Sequence, residues 1–440
     1  YMKLIVKMIA FAGIAAAMVS CSENAAEKEQ LALILGLEEH EYFLCFRCSK
    51  AVVNGRVAAV HLGVACLTVV IGQGYRTQNG FADFNAAAGG RWTRESLAAA
   101  VAADEKLLKK WIGFSEDSVA EVARAIAEEF RRISPGTRMA LQHGMTHTGT
   151  IMKVLAVLRE TSGMPVGFRP GGGAYYDINP NEQVIKSLSS ARFRREIGNP
   201  GWISPWTPEV ESWPRVYGSR SAQSILVEGF SALMYGMDAV SMLVTHTGNE
   251  DRSLYSRTIL RPVADGSAVL KGYAAANAGT VPVGFGSDLP AERLYPFASC
   301  GVPVLFGIGR FCGELTERDV DLDRRNAPSK KVQALRDELD RRAGGTPAVV
   351  ASPFAGLMLP RVSEKDGSLR TVALLNVRID AQERVKLVLR GVPERAKAVW
   401  RELRRAPVDV PLVRGADSVS AVIPRIDAWN AGYLDIRKEQ

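Results

Sequence analysis

Two glutamates lie two positions apart, directly after a predicted strand from Trp202 to Trp206. On extended backbone, Glu209 and Glu211 would point to the same side of the chain. Glycoside hydrolysis needs two such carboxyl groups, one to protonate the leaving oxygen and one to act as nucleophile or base. The pair therefore predicts chemistry of this kind. The alternative is that one glutamate pairs with Arg215 and the other is solvated.

Further polar and aromatic side chains surround this pair in the sequence. Three consecutive glycines, at 171 to 173, would let the backbone approach a ligand closely. The nearby aromatic rings are as suited to core packing as to stacking on a sugar, and His143 is as suited to a structural role as to a substrate hydroxyl. The predicted sugar contacts are Arg169, Asp177, His143, Tyr176, Trp206, Trp213 and His246.

Metal and cofactor sites are not predicted. Cys45 and Cys48 form a single C-x-x-C pair, whereas a structural zinc site needs four ligands. Two ordinary thiols or a local disulfide is the better interpretation. The three glycines also lack the spacing and the following lysine of a phosphate-binding loop. We therefore expect neither a metal nor a cofactor.

A repeated strand–helix pattern positions these residues. Apolar strands alternate with amphipathic helices, which predicts a parallel sheet with right-handed crossovers. The repeat of roughly 30 to 40 residues is near that of a (β/α)8 barrel. The strands are predicted at Arg138 to Gln142, Pro165 to Arg169, Trp202 to Trp206 and Asp238 to Thr245, and the helices at Thr150 to Thr161, Asn181 to Ile197 and Ser219 to Tyr235.

The rest of the chain differs in pattern. Helices are predicted from Thr93 and from Glu116 to Ile133, whereas residues 247 to 300 look rich in loops, with a helix near Tyr255 to Leu260. Beyond residue 347, short apolar runs separated by turns predict an antiparallel β-sandwich. The predicted segments are a signal peptide (1–21), an unassigned stretch (22–82), a partial barrel (83–300), a connecting segment (301–346) and the sandwich (347–440).

Composition limits the class of protein. The chain has 440 residues, of which 47% are hydrophobic and 23% charged, as in ordinary globular proteins. Its net charge of +8 is spread along the chain, without a basic run interleaved with aromatic residues. This pattern favours a solvated basic surface over nucleic-acid binding.

The N-terminal residues have the pattern of an export signal. Two lysines precede an apolar run from Met8 to Val19, which is too short to span a bilayer and is followed by Cys21. This resembles a bacterial lipoprotein signal with Cys21 as the lipid-modified residue. It predicts an exported protein anchored to a membrane by its lipid. A plain signal peptide or a buried helix is the alternative.

Residues 83 to 440 resemble bacterial β-galactosidase-like glycoside hydrolases related to family 42, within the retaining (β/α)8 clan. The resemblance is carried by several stretches. They are Gln142-His143-Gly144, Phe168-Arg169-Pro170-Gly171-Gly172-Gly173, Glu209-Val210-Glu211-Ser212-Trp213-Pro214 with the helix after it, Ala334-Leu335-Arg336-Asp337-Glu338-Leu339-Asp340, and the C-terminal Ile423-Pro424 and Ala428-Trp429-Asn430-Ala431-Gly432-Tyr433-Leu434. The resemblance implies a carbohydrate substrate, no cofactor, and Glu211 or Glu209 at the position of the nucleophile.

The resemblance also shows what is missing. The acid/base of the family should follow strand four, but the stretch from Val69 to Arg76 offers no carboxylate. The residues before Arg91 are too few for the first four strands. We therefore expect an incomplete barrel, whose exposed sheet edges favour pairing with a partner, a second copy of the chain included. A non-catalytic carbohydrate-binding or cell-surface protein is the alternative function.

Overall fold

The computed structural model describes eight stretches of the chain. They are residues 52–53, 56–57, 78–136, 138–145, 148–212, 218–243, 252–320 and 329–438. The predicted signal segment with Cys21, and the pair Cys45 and Cys48, lie outside them, so the anchoring and cysteine interpretations stay predictions. Within the described stretches, no helix combines the length and apolar character that crossing a bilayer requires.

The chain divides into two compact units. Unit 1 comprises Tyr1–Gly171 and Pro200–Trp206, and unit 2 comprises Gly172–Asn199 and Thr207–Gln440. The mixed helix–strand architecture and the sheet-rich C-terminal region that we predicted are both confirmed.

Unit 1 combines helices with a small parallel sheet. Its sheet has the order β3–β4–β5 and is parallel throughout, as the strand–helix rhythm predicts. Strands β1 and β2 form a separate antiparallel pair. The elements of unit 1 are β1 (Val52–Val53), β2 (Arg56–Val57), α1 (Gln78–Ala88), α2 (Arg94–Ala103), α3 (Glu105–Ile133), β3 (Ala140–Gly144), α4 (Thr148–Ser162), β4 (Val166–Gly171) and β5 (Ile203–Trp206).

Helix α3 begins earlier than the predicted start at Glu116. The Asp104 side chain accepts hydrogen bonds from the backbone N–H groups of Lys106 and Leu107, which caps the helix at Glu105. The helix then continues through Gly113, and its buried face packs against α4. The cap at Asp104 and the long apolar face therefore give one continuous helix, where the sequence pattern predicted a separate helix that begins at Glu116.

The first part of unit 2 is mostly helical. Helix α5 packs against α6, which also packs against α8. Strands β6 and β7 form a parallel pair. The elements are α5 (Pro180–Glu196), β6 (Glu209–Glu211), α6 (Ala222–Met234), β7 (Ser241–Leu243), α7 (Arg252–Tyr255), a π-helical turn (Ser256–Leu260), α8 (Arg261–Ala276), β8 (Thr280–Gly286), α9 (Ala291–Ala298), β9 (Arg310–Glu314), α10 (Glu317–Val320) and α11 (Ser329–Arg342).

The C-terminal part of unit 2 consists of two sheets. One has the order β10–β13–β17–β16, and the other has the order β15–β14–β18–β12–β11–β8–β9. A shared cluster of buried apolar side chains lies on strands of both sheets. The strands are β10 (Ala348–Val350), β11 (Gly356–Ser363), β12 (Leu369–Asn376), β13 (Gln382–Leu389), β14 (Ala396–Glu402), β15 (Val408–Asp409), β16 (Val413–Arg414), β17 (Val419–Ile426) and β18 (Ala431–Lys438).

The loop-rich prediction for residues 247 to 300 is wrong for the described part of that segment. Helix α8, strand β8 and helix α9 occupy most of it. Strand β8 contains Pro282 and two glycines, which disfavour a strand on propensity alone. It forms nevertheless because it pairs with both β11 and β9. The larger sheet therefore takes in residues that precede position 347.

The core of the two sheets yields a matched test. Leu387 on β13 is fully buried, whereas Val422 on the neighbouring strand β17 is exposed. We expect Leu387→Ala to lower the free energy of unfolding by about 2–5 kcal/mol, because it removes buried apolar atoms and leaves a cavity. Val422→Ala should change it by less than about 0.5 kcal/mol. Urea denaturation followed by far-UV circular dichroism measures both, and equal midpoints would contradict this core.

Candidate active site

Strand β6 carries both glutamates that the sequence singles out. It pairs in parallel with β7, so that Glu209 lies opposite Ser241 and Glu211 opposite Leu243. Because they are two positions apart on a strand, their side chains leave it on the same side. They are 3% and 9% exposed. Unit 2 therefore holds two neighbouring carboxyl groups that are almost closed off from bulk water.

Tyr175 contacts the first of these carboxyl groups. Its hydroxyl donates a hydrogen bond to Oε2 of Glu209 over 2.8 Å. Burial, then the charge and hydrogen bond of Glu209, and to a smaller extent Glu211, raise the pKa of Tyr175 well above its usual range. The phenol therefore keeps its proton at neutral pH and acts as a constant donor to Glu209.

The glycine-rich loop brings Tyr175 to this position. Gly173 has a φ of 78° and Ala174 a φ of 58°, both in the left-handed region. Gly173 reaches that region at little cost, whereas Ala174 pays a steric penalty. The turn made by these residues directs the side chain of Tyr175 to Glu209. Close approach of the glycine backbone to a ligand stays a prediction.

Arg220 fixes the backbone at the end of β6. Its side chain is fully buried, and its Nη1 donates to the backbone carbonyl of Glu211 over 3.0 Å. Its Nη2 donates to Oε1 of Gln183 on α5 over 2.9 Å. The same guanidinium forms an ion pair of 2.6 Å with Oε2 of Glu228. One arginine therefore joins the end of β6 to two helices.

Glu228 pairs with a second cation as well. Its Oε1 lies 2.6 Å from Nζ of Lys186, and the two side chains are 1% and 3% exposed. The Lys186 ammonium in turn lies 5.1 Å from the centroid of the Tyr175 ring, within the range of a cation–π contact. Glu228 is thus connected through Arg220 to the backbone of Glu211, and through Lys186 and Tyr175 to the carboxylate of Glu209.

Asp177, a predicted sugar contact, takes part in local structure. Its Oδ2 accepts from the backbone N–H of Ser221, the N-cap of α6, over 2.8 Å. Its Oδ1 accepts from Nε2 of Gln183 over 3.1 Å. These bonds tie the glycine-rich loop to α5 and α6. The neighbouring Tyr176 is 43% exposed and presents its side chain to solvent.

The predicted residues of unit 1 lie on its parallel sheet. His143 on β3 and Arg169 on β4 are both buried. Nδ1 of His143 lies 2.6 Å from the backbone carbonyl of Gly144, while its Nε2 has no hydrogen-bond partner in the described part of the chain. Trp206 is fully buried and packs edge-on against Phe168, with ring centroids 5.2 Å apart. A ring packed in this way offers no face to a sugar, so the stacking role predicted for Trp206 is corrected to core packing.

Two further predicted contacts, Trp213 and His246, lie outside the described residues, as does Arg215. Their roles stay predictions. Across the stretches that the structure describes, no group of three or more histidine, cysteine, aspartate or glutamate side chains could hold a metal ion.

Sequence reasoning missed Lys186, Arg220 and Glu228. One signal was available for Glu228, because it is the single charged residue in the apolar helix α6, every residue of which except Gln223 is buried. A charged residue at such a position is rarely left without a partner. The identity of the two cations had no comparable signal, since they come from separate parts of the chain.

Comparison with known proteins gives no family assignment. No protein-family model matches the chain, and no curated protein matches it. Solved structures that are distantly similar include α-L-fucosidase isoenzyme 2 from Paenibacillus thiaminolyticus, with 9% identity, a TM-score of 0.41, and coverage of 73% of this chain and 80% of that one.

Two further solved structures are similar to a comparable degree. The rhamnosidase from Novosphingobium sp. PP1Y has 8% identity and a TM-score of 0.40, over 76% of this chain and 40% of that one. The cold-adapted β-galactosidase from Rahnella sp. R3 has 10% identity and a TM-score of 0.36, over 75% of this chain and 68% of that one. The similarity to each of these three structures extends over about three quarters of this chain.

The buried ion pairs give a test of the site's construction. In Glu228→Gln, two buried cations would lose the carboxylate that they share, and we expect a loss of about 3–5 kcal/mol in the free energy of unfolding. The matched control is Glu338→Gln, which removes a half-exposed ion pair with Arg341 and should cost less than about 1 kcal/mol. Chemical denaturation compares the two, and similar losses would show that Glu228 is not the anchor of this region.

Proposed function

We propose that the protein is a glycoside hydrolase-related protein that acts on β-linked carbohydrate, with Glu211 as nucleophile and Glu209 as its neighbouring carboxylate. The observation that carries this proposal is the paired carboxyl groups on β6, one held by the Tyr175 hydroxyl and the other fixed through its backbone by Arg220. Glycoside hydrolysis uses such carboxyl groups with an oxocarbenium-like transition state.

The two glutamates are given different roles because their surroundings differ. Glu211 is the more exposed of the two, and its backbone is fixed, which suits a group that must meet the anomeric carbon in one orientation. Glu209 accepts the hydrogen bond from Tyr175, so its carboxylate is oriented and its negative charge supported. In a retaining reaction, the Glu211 carboxylate would attack the anomeric carbon as the glycosidic C–O bond breaks and the aglycone leaves. Water would then hydrolyse the resulting glycosyl–enzyme ester and restore the carboxylate.

The resemblance in sequence supports further assignments of ancestry and of sugar contacts. We infer that the parallel strands β3 to β7 derive from an incomplete (β/α)8 barrel related to glycoside hydrolase family 42. Sugar contacts are assigned to Tyr176, which is exposed, and to Asp177. Further contacts are assigned to His143, Arg169, Trp213 and His246.

A second function is favoured by the burial of the carboxyl groups. At 3% and 9% exposure, Glu209 and Glu211 reach a sugar only if neighbouring groups move aside. A protein that binds carbohydrate without cleaving it needs no such access. The alternative is therefore a non-catalytic carbohydrate-binding protein that has kept the construction of the site.

Hydrolysis of aryl β-glycosides by the purified chain tests the proposal. Activated aryl leaving groups need little protonation, so a nucleophile can act on them without a proper acid. We expect Glu211→Gln to lower kcat/KM by roughly three orders of magnitude. Tyr175→Phe should lower it about tenfold to a hundredfold, because it removes one hydrogen bond to a charged group.

The matched control is Glu364→Gln, an exposed glutamate in the turn after β11, which should leave the rate unchanged. A folded chain without activity would overturn the hydrolase. Quenching of tryptophan fluorescence by β-linked oligosaccharides would then support the binding protein. Activity that survives in Glu211→Gln but not in Glu209→Gln would exchange the two roles.

A further inference from the structure

A separate cavity of about 680 Å³ lies in unit 2 and is not lined by either glutamate of the candidate site. Helix α8 forms one side, and β14, the turn after it and β18 form the others. Four arginines line it, namely Arg401, Arg404, Arg405 and Arg437. So many guanidinium groups around one cavity indicate an anionic ligand.

Nearby carboxylates neutralise these arginines only in part. Arg401 and Arg437 both bond to Oδ2 of Asp435, over 3.2 Å and 2.7 Å. The carboxylate of Asp427 is shared by Arg405 and by Arg425, which does not line the cavity. Arg404 is exposed and has no ion-pair partner among the described residues, so its guanidinium is accessible to a ligand.

A tyrosine hydroxyl adds a neutral donor to the lining. Tyr433 is 1% exposed, and its side chain lines the cavity. Burial raises the pKa of Tyr433 to about 12, so the hydroxyl keeps its proton at neutral pH. Gly272 on α8 leaves room for it, since a Cβ there would lie 2.9 Å from this oxygen.

The one lining carboxylate narrows the class of ligand. Asp265 is exposed on α8 and lines the same cavity. Its carboxylate would repel a ligand whose polar groups are all anionic, but it can accept hydrogen bonds from the hydroxyl groups of a sugar. A ligand that combines oxyanions with free hydroxyls therefore matches the arginines, the Tyr433 hydroxyl and Asp265 together.

We propose that this cavity binds an acidic oligosaccharide, whose carboxylate or sulfate groups pair with the arginines and whose hydroxyls bond to Tyr433 and Asp265. The site is independent of the proposed hydrolase, because no residue of the candidate active site lines it.

Isothermal titration calorimetry with the full chain at physiological salt tests this site. The probes are trigalacturonate, which carries carboxylates, a chondroitin sulfate hexasaccharide, which also carries sulfates, neutral maltotriose, and inorganic sulfate. We expect one or both acidic oligosaccharides to bind one-to-one with a Kd below about 1 mM, and maltotriose not to bind. Which of the two binds identifies the anionic group.

Variants locate the binding. Arg404→Gln should weaken it about tenfold or more, since it removes a charged donor, and Gly272→Ala should weaken it by placing a methyl group over the Tyr433 hydroxyl. The control is Arg395→Gln, an exposed arginine about 20 Å along β14 from Arg401, which should change the affinity less than twofold.

Several results would overturn the site. They are the absence of binding by both acidic oligosaccharides, equal binding of maltotriose, binding of inorganic sulfate alone, or equal weakening by Arg395→Gln. The last of these would indicate general attraction to a chain of net charge +8.

Discussion

The carboxylate of Glu228, buried between two cations, is the interaction on which the candidate site depends. Removing charges from water costs several kcal/mol per ion, and close partners of opposite charge offset part of this cost. Here both ion pairs measure 2.6 Å, and the side chains of Glu228, Lys186 and Arg220 are at most 3% exposed. Such a group tolerates few alternative arrangements, because any displacement would leave a buried charge without its partner.

This constraint determines where the reactive groups lie. The guanidinium that satisfies Glu228 also holds the backbone carbonyl of Glu211. The ammonium that satisfies it lies against the ring of Tyr175, whose hydroxyl holds Glu209. The carboxyl group of Glu209 and the backbone of Glu211 are therefore positioned by contacts that also stabilise the packing of α5 against α6. Folding therefore sets the positions of these groups, whereas a sugar reaches the two glutamates only when neighbouring groups move aside.

Local pattern predicted much of the fold. The strand–helix rhythm from Arg138 to Met234 and the alternating strands near the C-terminus follow from hydrophobic period, caps and turn residues. Strand β8 could not be predicted in the same way, because its proline and glycines contradict strand propensity and only its neighbours β9 and β11 make it a strand. The predicted start of α3 was wrong for a related reason. The Asp104 cap begins the helix at Glu105, and the helix continues through Gly113.

The residues of the candidate site also differ in how far the sequence could identify them. Glu209 and Glu211 could be singled out because their spacing alone implies a shared side of a strand. The role of Trp206 could not be predicted, since a tryptophan at a strand end suits a cleft or a core equally, and the structure places it against Phe168 in the core. The links from Tyr175, Lys186 and Arg220 to the glutamates depend on side chains that meet only after folding. No spacing rule connects them.

Covalent labelling of the nucleophile tests the central claim most directly. A 2-deoxy-2-fluoro-β-glycoside with a dinitrophenyl leaving group allows the first step of a retaining reaction and slows the second, so the sugar stays on the carboxylate that attacked it. Mass spectrometry of peptides from the labelled chain should find one sugar, attached to Glu211. A label on a carboxyl group outside β6, or no label on a folded chain that hydrolyses the parent aryl glycoside, would contradict the assignment of these two glutamates as the reacting pair.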